Sequence, residues 1–149
     1  MLLWRISNHS TLDGMGGLLA SARWHTQGRP VVYLAESPAG ALTETLVHLE
    51  LDAQHLPASY KLLKVEAPDD VAVQQVGESD LPAGWKKDML ITRTIGDEWL
   101  AAQTTALLRV PSVIVPETNN YLLNPRNPDA VRLKIVSHQG YPWDERLFR

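Results

Sequence analysis

The sequence predicts an α+β fold, and three observations carry that expectation. Short apolar runs recur along the chain, each closed off by glycine, proline or serine, which is how buried strands are punctuated. Two longer segments instead space their apolar residues three or four apart, as amphipathic helices do. Strand-like and helix-like segments are mixed, with no internal repeat, low-complexity tract or long linker between them, so one domain spanning residues 1–149 is expected.

Leu2 to Ile6 reads as the first strand and STLDGMGG as a glycine-rich loop after it. PVVYLA, set between Gly28 and Ser37-Pro38, reads as a short buried strand. Ser37 is placed to cap a helix whose first position is Pro38, where the missing N–H costs nothing. In that helix Ala39, Leu42, Leu46 and Leu49 form an apolar face expected to point at the core, with Glu44 nearly opposite Leu42 on the line of Gly40 and His48. YKLLKVEA and VAVQQV read as strands, and TRTIGDEWLAAQTTALLRV carries a second helix with Trp99, Leu100 and Ala106 inward. VPSVIVP reads as a strand clipped by Pro111 and Pro116, NNYLLNPRNPDA as a turn-rich connection, VRLKIVS as the last long strand and YPWDERLFR as an irregular tail.

Composition narrows the function. With 44% hydrophobic residues in 149, the chain can bury a real core. A net charge of −3 with mixed signs disfavours direct binding to duplex nucleic acid, and no basic amphipathic stretch suits a membrane surface. The absence of cysteine excludes disulfides, thiol nucleophiles and thiolate metal sites. Arg5 follows only a very short apolar stretch, so neither a signal peptide nor a membrane span is expected at this end, and a cytoplasmic protein is.

Few residues stand out for chemistry. Arg23 beside Trp24 fits a ligand-gripping cation and equally a surface arginine stacked on an indole. Glu44 fits a catalytic carboxylate and equally a solvated partner of His48 one turn on. Tyr33 ends an apolar strand, where a buried tyrosine whose hydroxyl finds a backbone partner is the ordinary case. Ser112 is compatible with a simple small strand residue. The five histidines show no metal-type spacing, GMGG lacks the ending of a phosphate loop, and no GxSxG elbow is present.

Their joint arrangement is more specific. RW, the Tyr of VVY ten residues on, the Glu of ALTETLVHLE eleven further, then IGDEWL, ALLRVPSVIVPETNNYLLNP and WDERL together resemble the RES domain over nearly the whole chain. The resemblance implies the toxin of a bacterial type II toxin–antitoxin pair, an ADP-ribosyltransferase-like fold with a split, mainly antiparallel sheet and flanking helices, and consumption of NAD⁺. It implies Arg23, Tyr33 and Glu44 as catalytic and NAD⁺-binding residues and Ser112 as a further pocket residue, with no metal and no cofactor, NAD⁺ being the consumed substrate. It also implies an Xre-type helix-turn-helix antitoxin as partner and a toxin homodimer within a larger complex. One stretch departs from the pattern: where members commonly show GGRWN, this chain has SARWH, so Ser21, Ala22 and His25 replace two glycines and an asparagine.

The implied chemistry suits these residue types. Cleaving the nicotinamide–ribose bond builds positive charge on the sugar, and a carboxylate such as Glu44 favours that state over the ground state. Arg23 is suited to the pyrophosphate by a fixed, always-charged fork of donors, Tyr33 to the nicotinamide by its ring and hydroxyl, and Ser112 to the nicotinamide or its ribose. Gly40, one turn before Glu44, leaves room for a ligand, and Asn124 is expected to hold its turn. Water as acceptor gives a glycohydrolase, phosphate a phosphorylase and a protein side chain an ADP-ribosyltransferase; a non-catalytic partner-binding module is the alternative of another class.

Overall fold

The computed structural model describes residues 1–48 and 58–148. Among the described residues seven strands form one sheet in the order β4-β5-β6-β2-β1-β3-β7, where β1 is Leu2–Ser7, β2 Val32–Ala35, β3 Lys61–Glu66, β4 Val73–Gln75, β5 Leu107–Pro111, β6 Asn119–Leu123 and β7 Lys134–Gly140. Every neighbouring pair is antiparallel except β4 with β5. The helices are α1 (Gly16–Leu19), α2 (Pro38–His48) and α3 (Met89–Ala102). The sheet is therefore mainly antiparallel, as the family resemblance implies.

Its split lies at the centre. β1 meets β3 over six residue pairs, whereas β1 and β2 share the single pair Trp4 with Ala35. Beyond that pair the two strands part, and the opening between them becomes the floor of a cleft.

Alternation along the strands divides the core between the two faces. Leu3, Val32, Leu34, Val65, Leu107, Tyr121 and Leu123 pack on one face, under Leu12, Ala130 and Leu133. The other face carries both long helices. α3 sets Trp99 and Leu100 against Leu108, Val110 and Leu122, while α2 sets Ala41 against Ile6 and Ala35. The cleft thus lies between two helices seated on the same side of the sheet.

Local chemistry explains the element ends. Ser37 caps α2 as its sequence predicts, its Oγ accepting from the Gly40 N–H at 2.9 Å. Asp88 caps α3 by accepting from the Leu90 N–H at 3.0 Å, so this helix begins three residues ahead of the TRTIGDEW stretch. Trp99 and Leu100 point inward as expected; Ala106 is buried too, but beyond the end of α3.

Four expectations are corrected. VPSVIVP does not continue as a strand past Pro111, because the Ser112 Oγ accepts from the N–H groups of Ile114 and Val115 at 3.1 Å and folds the chain into a turn that passes through Glu117 at φ 62°. NNYLL is no connection but the strand β6, with Leu122 and Leu123 fully buried; its asparagines obscured the pattern, and only the following NPRNPDA turns. Val131 and Arg132 close a 3-10 turn begun by Pro128, which delays the last strand to Lys134–Gly140. The apolar face assigned to α2 also shifts: Ala39 is exposed and Leu42 and Leu46 are half-buried, whereas Ala41 is buried, because the helix lies over the narrow β1–β2 junction and meets it with a small residue. Leu49 lies outside the described residues.

Gly96 fixes how α3 meets the rest of the fold. A Cβ there would overlap the Trp24 carbonyl, so helix and main chain touch in a way only glycine allows. Gly96→Ala is expected to destabilise the protein by about 2–3 kcal/mol, the cost of overpacking a close contact, as measured by urea unfolding. An unchanged unfolding midpoint would show that α3 can retreat freely.

Candidate active site

A cleft of about 450 Å³, within the usual range for a small-molecule site, is lined by β1, β2, α2, the segment 22–24 and the turn after β5. Arg23, Tyr33 and Glu44, far apart in sequence, all line it. The structure brings these three expected site residues together and places the fourth, Ser112, behind Glu44 rather than on the cleft wall.

Glu44 reaches the cleft because α2 runs across the β1–β2 junction with its Ala41 side down. Its Oε1 accepts from the Ser112 hydroxyl at 3.1 Å and from the Asn120 side-chain amide at 2.9 Å, and Oε2 lies 3.7 Å from His48 Nε2, so the pairing with His48 is present too. Burial by itself would raise this carboxyl. The nearby His48 imidazole and the hydrogen bonds from Asn120 and Ser112 together outweigh that and hold it below the usual carboxylate range. Glu44 is accordingly a carboxylate at neutral pH, held at one oxygen by two neutral donors.

Tyr33 comes from β2, whose odd positions face the helices. Its hydroxyl is engaged within the protein, accepting from the Trp24 N–H at 3.1 Å and lying 2.8 Å from His25 Nδ1. Burial raises its pKa strongly, so the phenol keeps its proton. What Tyr33 offers the cleft is therefore its ring, and the expectation of a free orienting hydroxyl is replaced by an internal tether.

Arg23 sits on a short segment that α3 grips. The Arg23 carbonyl accepts from the Thr92 hydroxyl at 2.5 Å, the Ala22 carbonyl from Arg93 Nε at 2.7 Å, and Asp97 takes the N–H and hydroxyl of Thr26 at 2.9 and 2.7 Å. The guanidinium donates from Nη1 to the Lys86 carbonyl at 3.0 Å, which fixes one nitrogen and leaves the fork's other donors for a ligand. Trp24 packs at a tilt against Trp85 in the core instead of under Arg23.

Several contributors were not singled out in the sequence. Arg5 borders the cleft from β1, but alternation puts its side chain on the Leu3 face, where Nη1 donates to the Thr11 carbonyl at 3.4 Å, and although burial lowers its pKa, a guanidinium starts so high that it stays charged. Trp4, Val47 and Tyr60 give one part of the wall an apolar, aromatic character. Asn120 carried a signal: asparagine is depleted in strands, so a pair of them in NNYLL asks for a reason. Gly96 inside a helix carried another, since it costs stability unless a close approach needs it. Asn124 holds its turn as expected, donating to the Leu100 carbonyl at 3.0 Å and accepting from the Arg126 N–H. Among the described residues no group of three or more His, Cys, Asp and Glu side chains is placed to hold a metal ion, and no helix is long and apolar enough to cross a membrane.

The anchoring of Glu44 can be measured. Following its side-chain carboxyl by NMR should give a midpoint below 4.5 in the parent protein, and Asn120→Ala should move it up, since one of the hydrogen bonds that lower it is lost. No movement in Asn120→Ala would assign the anchoring to Ser112 and His48 alone.

Comparison with known proteins supplies the family. The family model described as the RES domain matches residues 2–144. The chain is 49% identical to "Toxin Res" of Pseudomonas putida over 99% of its own length and 100% of that protein. It is 36% identical to "Prs ADP-ribosylating toxin" of a Sphingobium species, covering 98% of this chain and 96% of that one. Among solved structures, the M. tuberculosis MbcT–MbcA toxin–antitoxin complex superposes with a TM-score of 0.71 over 94% of this chain and 83% of that chain at 15% identity, a likeness of fold. A split antiparallel sheet with a carboxylate, an arginine and a tyrosine on one cleft, and near-complete coverage of these relatives, lead to one conclusion: the chain belongs to the RES domain family, and it is a toxin of that family.

Proposed function

We propose that this chain consumes NAD⁺ by breaking the bond between nicotinamide and ribose, with water or phosphate as acceptor. The observation that carries the reading is Glu44, a single ionised carboxylate anchored by Ser112 and Asn120 in a cleft that it shares with Arg23 and the ring of Tyr33. The electron pair of the C–N bond leaves with the nicotinamide nitrogen, which becomes neutral, and the ribose carbon takes on positive charge. Glu44 lies ready to stabilise that charge without reorganising, since its hydrogen bonds are already made. Arg23 is the cation suited to a pyrophosphate, the Tyr33 ring to the nicotinamide, and the apolar wall of Trp4, Val47 and Tyr60 to an adenine. Ser112 serves the reaction through Glu44.

A second reading, transfer of ADP-ribose to a protein side chain, is favoured by the Sphingobium relative, whose name is that of an ADP-ribosylating toxin. Both readings share the bond-breaking step and differ only in the acceptor. Unchecked, either activity harms the cell that makes it. We therefore assign the chain a cytoplasmic role in a toxin–antitoxin pair, with a helix-turn-helix antitoxin whose inserted segment covers the cleft and a toxin homodimer inside the complex. The solved relative with this fold is itself a toxin–antitoxin complex, which supports the partner in its general form.

Incubating the purified protein with NAD⁺, with and without phosphate, and identifying the products tests the proposal. Free nicotinamide with ADP-ribose or its 1″-phosphate is expected, and intact NAD⁺ in both arms would refute it. Glu44→Gln should lower kcat by about a hundredfold or more while NAD⁺ affinity stays within about threefold, because the carboxylate acts on charge that appears only in the transition state. Arg23→Ala should weaken binding itself by about 1.5–3 kcal/mol, the loss of a charge-assisted hydrogen bond. Calorimetry beside turnover rates separates the two roles, and a fully active Glu44→Gln protein would end the assignment.

A further inference from the structure

His25 is only 2% exposed and lies outside the Arg23–Tyr33–Glu44 trio, and each of its ring nitrogens has a hydrogen-bond contact that constrains its protons. Its Nε2 lies 2.9 Å from the Ala20 carbonyl, a group that can only accept, so Nε2 carries a hydrogen and donates. In the neutral ring Nδ1 is then a bare lone pair, 2.8 Å from the Tyr33 hydroxyl. That hydroxyl already accepts from the Trp24 N–H at 3.1 Å and has one proton to give. The network has a single consistent arrangement: Trp24 N–H to Tyr33 oxygen, Tyr33 O–H to His25 Nδ1, His25 Nε2–H to Ala20 carbonyl.

From this geometry we infer that His25 is a positioning residue for Tyr33 and acts as a proton-sensitive latch on the site. By taking the phenolic proton it turns the hydroxyl into the protein and presents the ring to the cleft. The inference deepens the NAD⁺-consuming reading and rests on it for its kinetic consequence, though the hydrogen-bond arrangement stands without it. Protonation of His25 makes Nδ1 a donor. The phenolic oxygen then accepts from both the Trp24 N–H and His25 Nδ1–H, and its own proton is left in a buried site without the acceptor that turned it into the protein, which loosens the hold on the ring.

The surroundings set the sign of this response. Burial lowers the His25 pKa from its ordinary value, against the opposing pull of the Ala20 and Gly17 carbonyls and of Asp97 on α3; Arg93 on the same helix lowers it further. Asp97 is also drawn off by Arg29 at 3.6 Å and by Thr26. Tyr33 from β2 stays a neutral phenol, the segment itself contributes the Arg23 cation, and α1, of sequence GGLL, brings no ionisable side chain. A depressed folded pKa means that the neutral latch is complete above about pH 6.5 and is lost, together with the stability it contributes, as pH falls through the lower folded value.

Two measurements test the latch. Imidazole nitrogen NMR on the labelled protein should show His25 as the Nε2–H tautomer at pH 7.5 with a midpoint below 6.5; an Nδ1–H tautomer would overturn the proposal whatever the enzyme does. Turnover of NAD⁺ is then compared for the parent, His25→Asn and His25→Leu. Asparagine offers a carbonyl oxygen near the place of Nδ1 and does not titrate, so it should keep kcat/KM within about threefold and lose the acid limb of the pH profile. Leucine cannot accept a hydrogen bond and should lower kcat/KM by roughly tenfold to a hundredfold, as misplacement of a substrate-orienting group does. Equal activity of the two variants, or an acid limb that persists in His25→Asn, would overturn the latch. Absence of turnover in the parent would instead defeat the reading of the reaction and leave the tautomer to decide the positioning role.

Discussion

The site depends on the grip of α3 on the segment from Ala22 to Thr26. This segment has little regular structure of its own: it carries an isolated bridge between Ala22 and His25 and no longer ladder. Ordering five such residues costs about 5–10 kcal/mol of backbone entropy. The four side-chain hydrogen bonds from Thr92, Arg93 and Asp97, at about 1 kcal/mol each, and the burial of Trp24, at about 3 kcal/mol, together reach that range, and neither does so alone. Gly96 makes the combination possible by letting the helix approach until those side chains reach the segment. Arg23 is thus a surface-facing cation on a segment fixed from behind, which is how a fixed guanidinium differs from a solvated one.

The carboxylate is fixed by a different device. Three elements meet at Glu44: α2 supplies it, β6 supplies Asn120, and the turn after β5 supplies Ser112. Desolvation acts against the charge, and the donors offset it with a margin that leaves the group ionised. Neutral donors suit this task. A lysine or arginine at the same place would hold the carboxylate more tightly but would cancel the negative potential that a developing cation needs. His48, one turn along α2 and largely exposed, sits at the solvent side of the pair, where screening weakens it.

How much of this was legible in the sequence follows from where the information lies. β1, β2, the Ser37-Pro38 start of α2 and the inward Trp99 and Leu100 are written in local patterns, because punctuation and periodicity act over a few residues. β6 was not legible: Asn119 and Asn120 argue against a strand on propensity, and only their neighbours β2 and β5, and Glu44 across the cleft, make that strand worthwhile. The break after Pro111 depended on a serine side chain folding its own turn, which an apolar run conceals. Arg23, Tyr33 and Glu44 were visible as types at a spacing, but that they share a cleft is a property of the β1–β2 split, which no local signal contains.

Ser112 and Tyr33 show why residue type alone does not assign a role. Both are polar groups at the site, and both direct their hydroxyls at the protein: Ser112 at Glu44, and Tyr33 at the hairpin that carries Arg23. The tyrosine thereby links β2 to the arginine segment, and the serine links β5 to the helix of the glutamate. Each hydroxyl crosses from one element of the split sheet's cleft to another, so the distances among the ring, the cation and the carboxylate are set by the scaffold before any ligand arrives. A site tied this way bears its ordering cost in folding rather than in binding, which is the condition for a lone carboxylate to act on a transient charge without first having to find it.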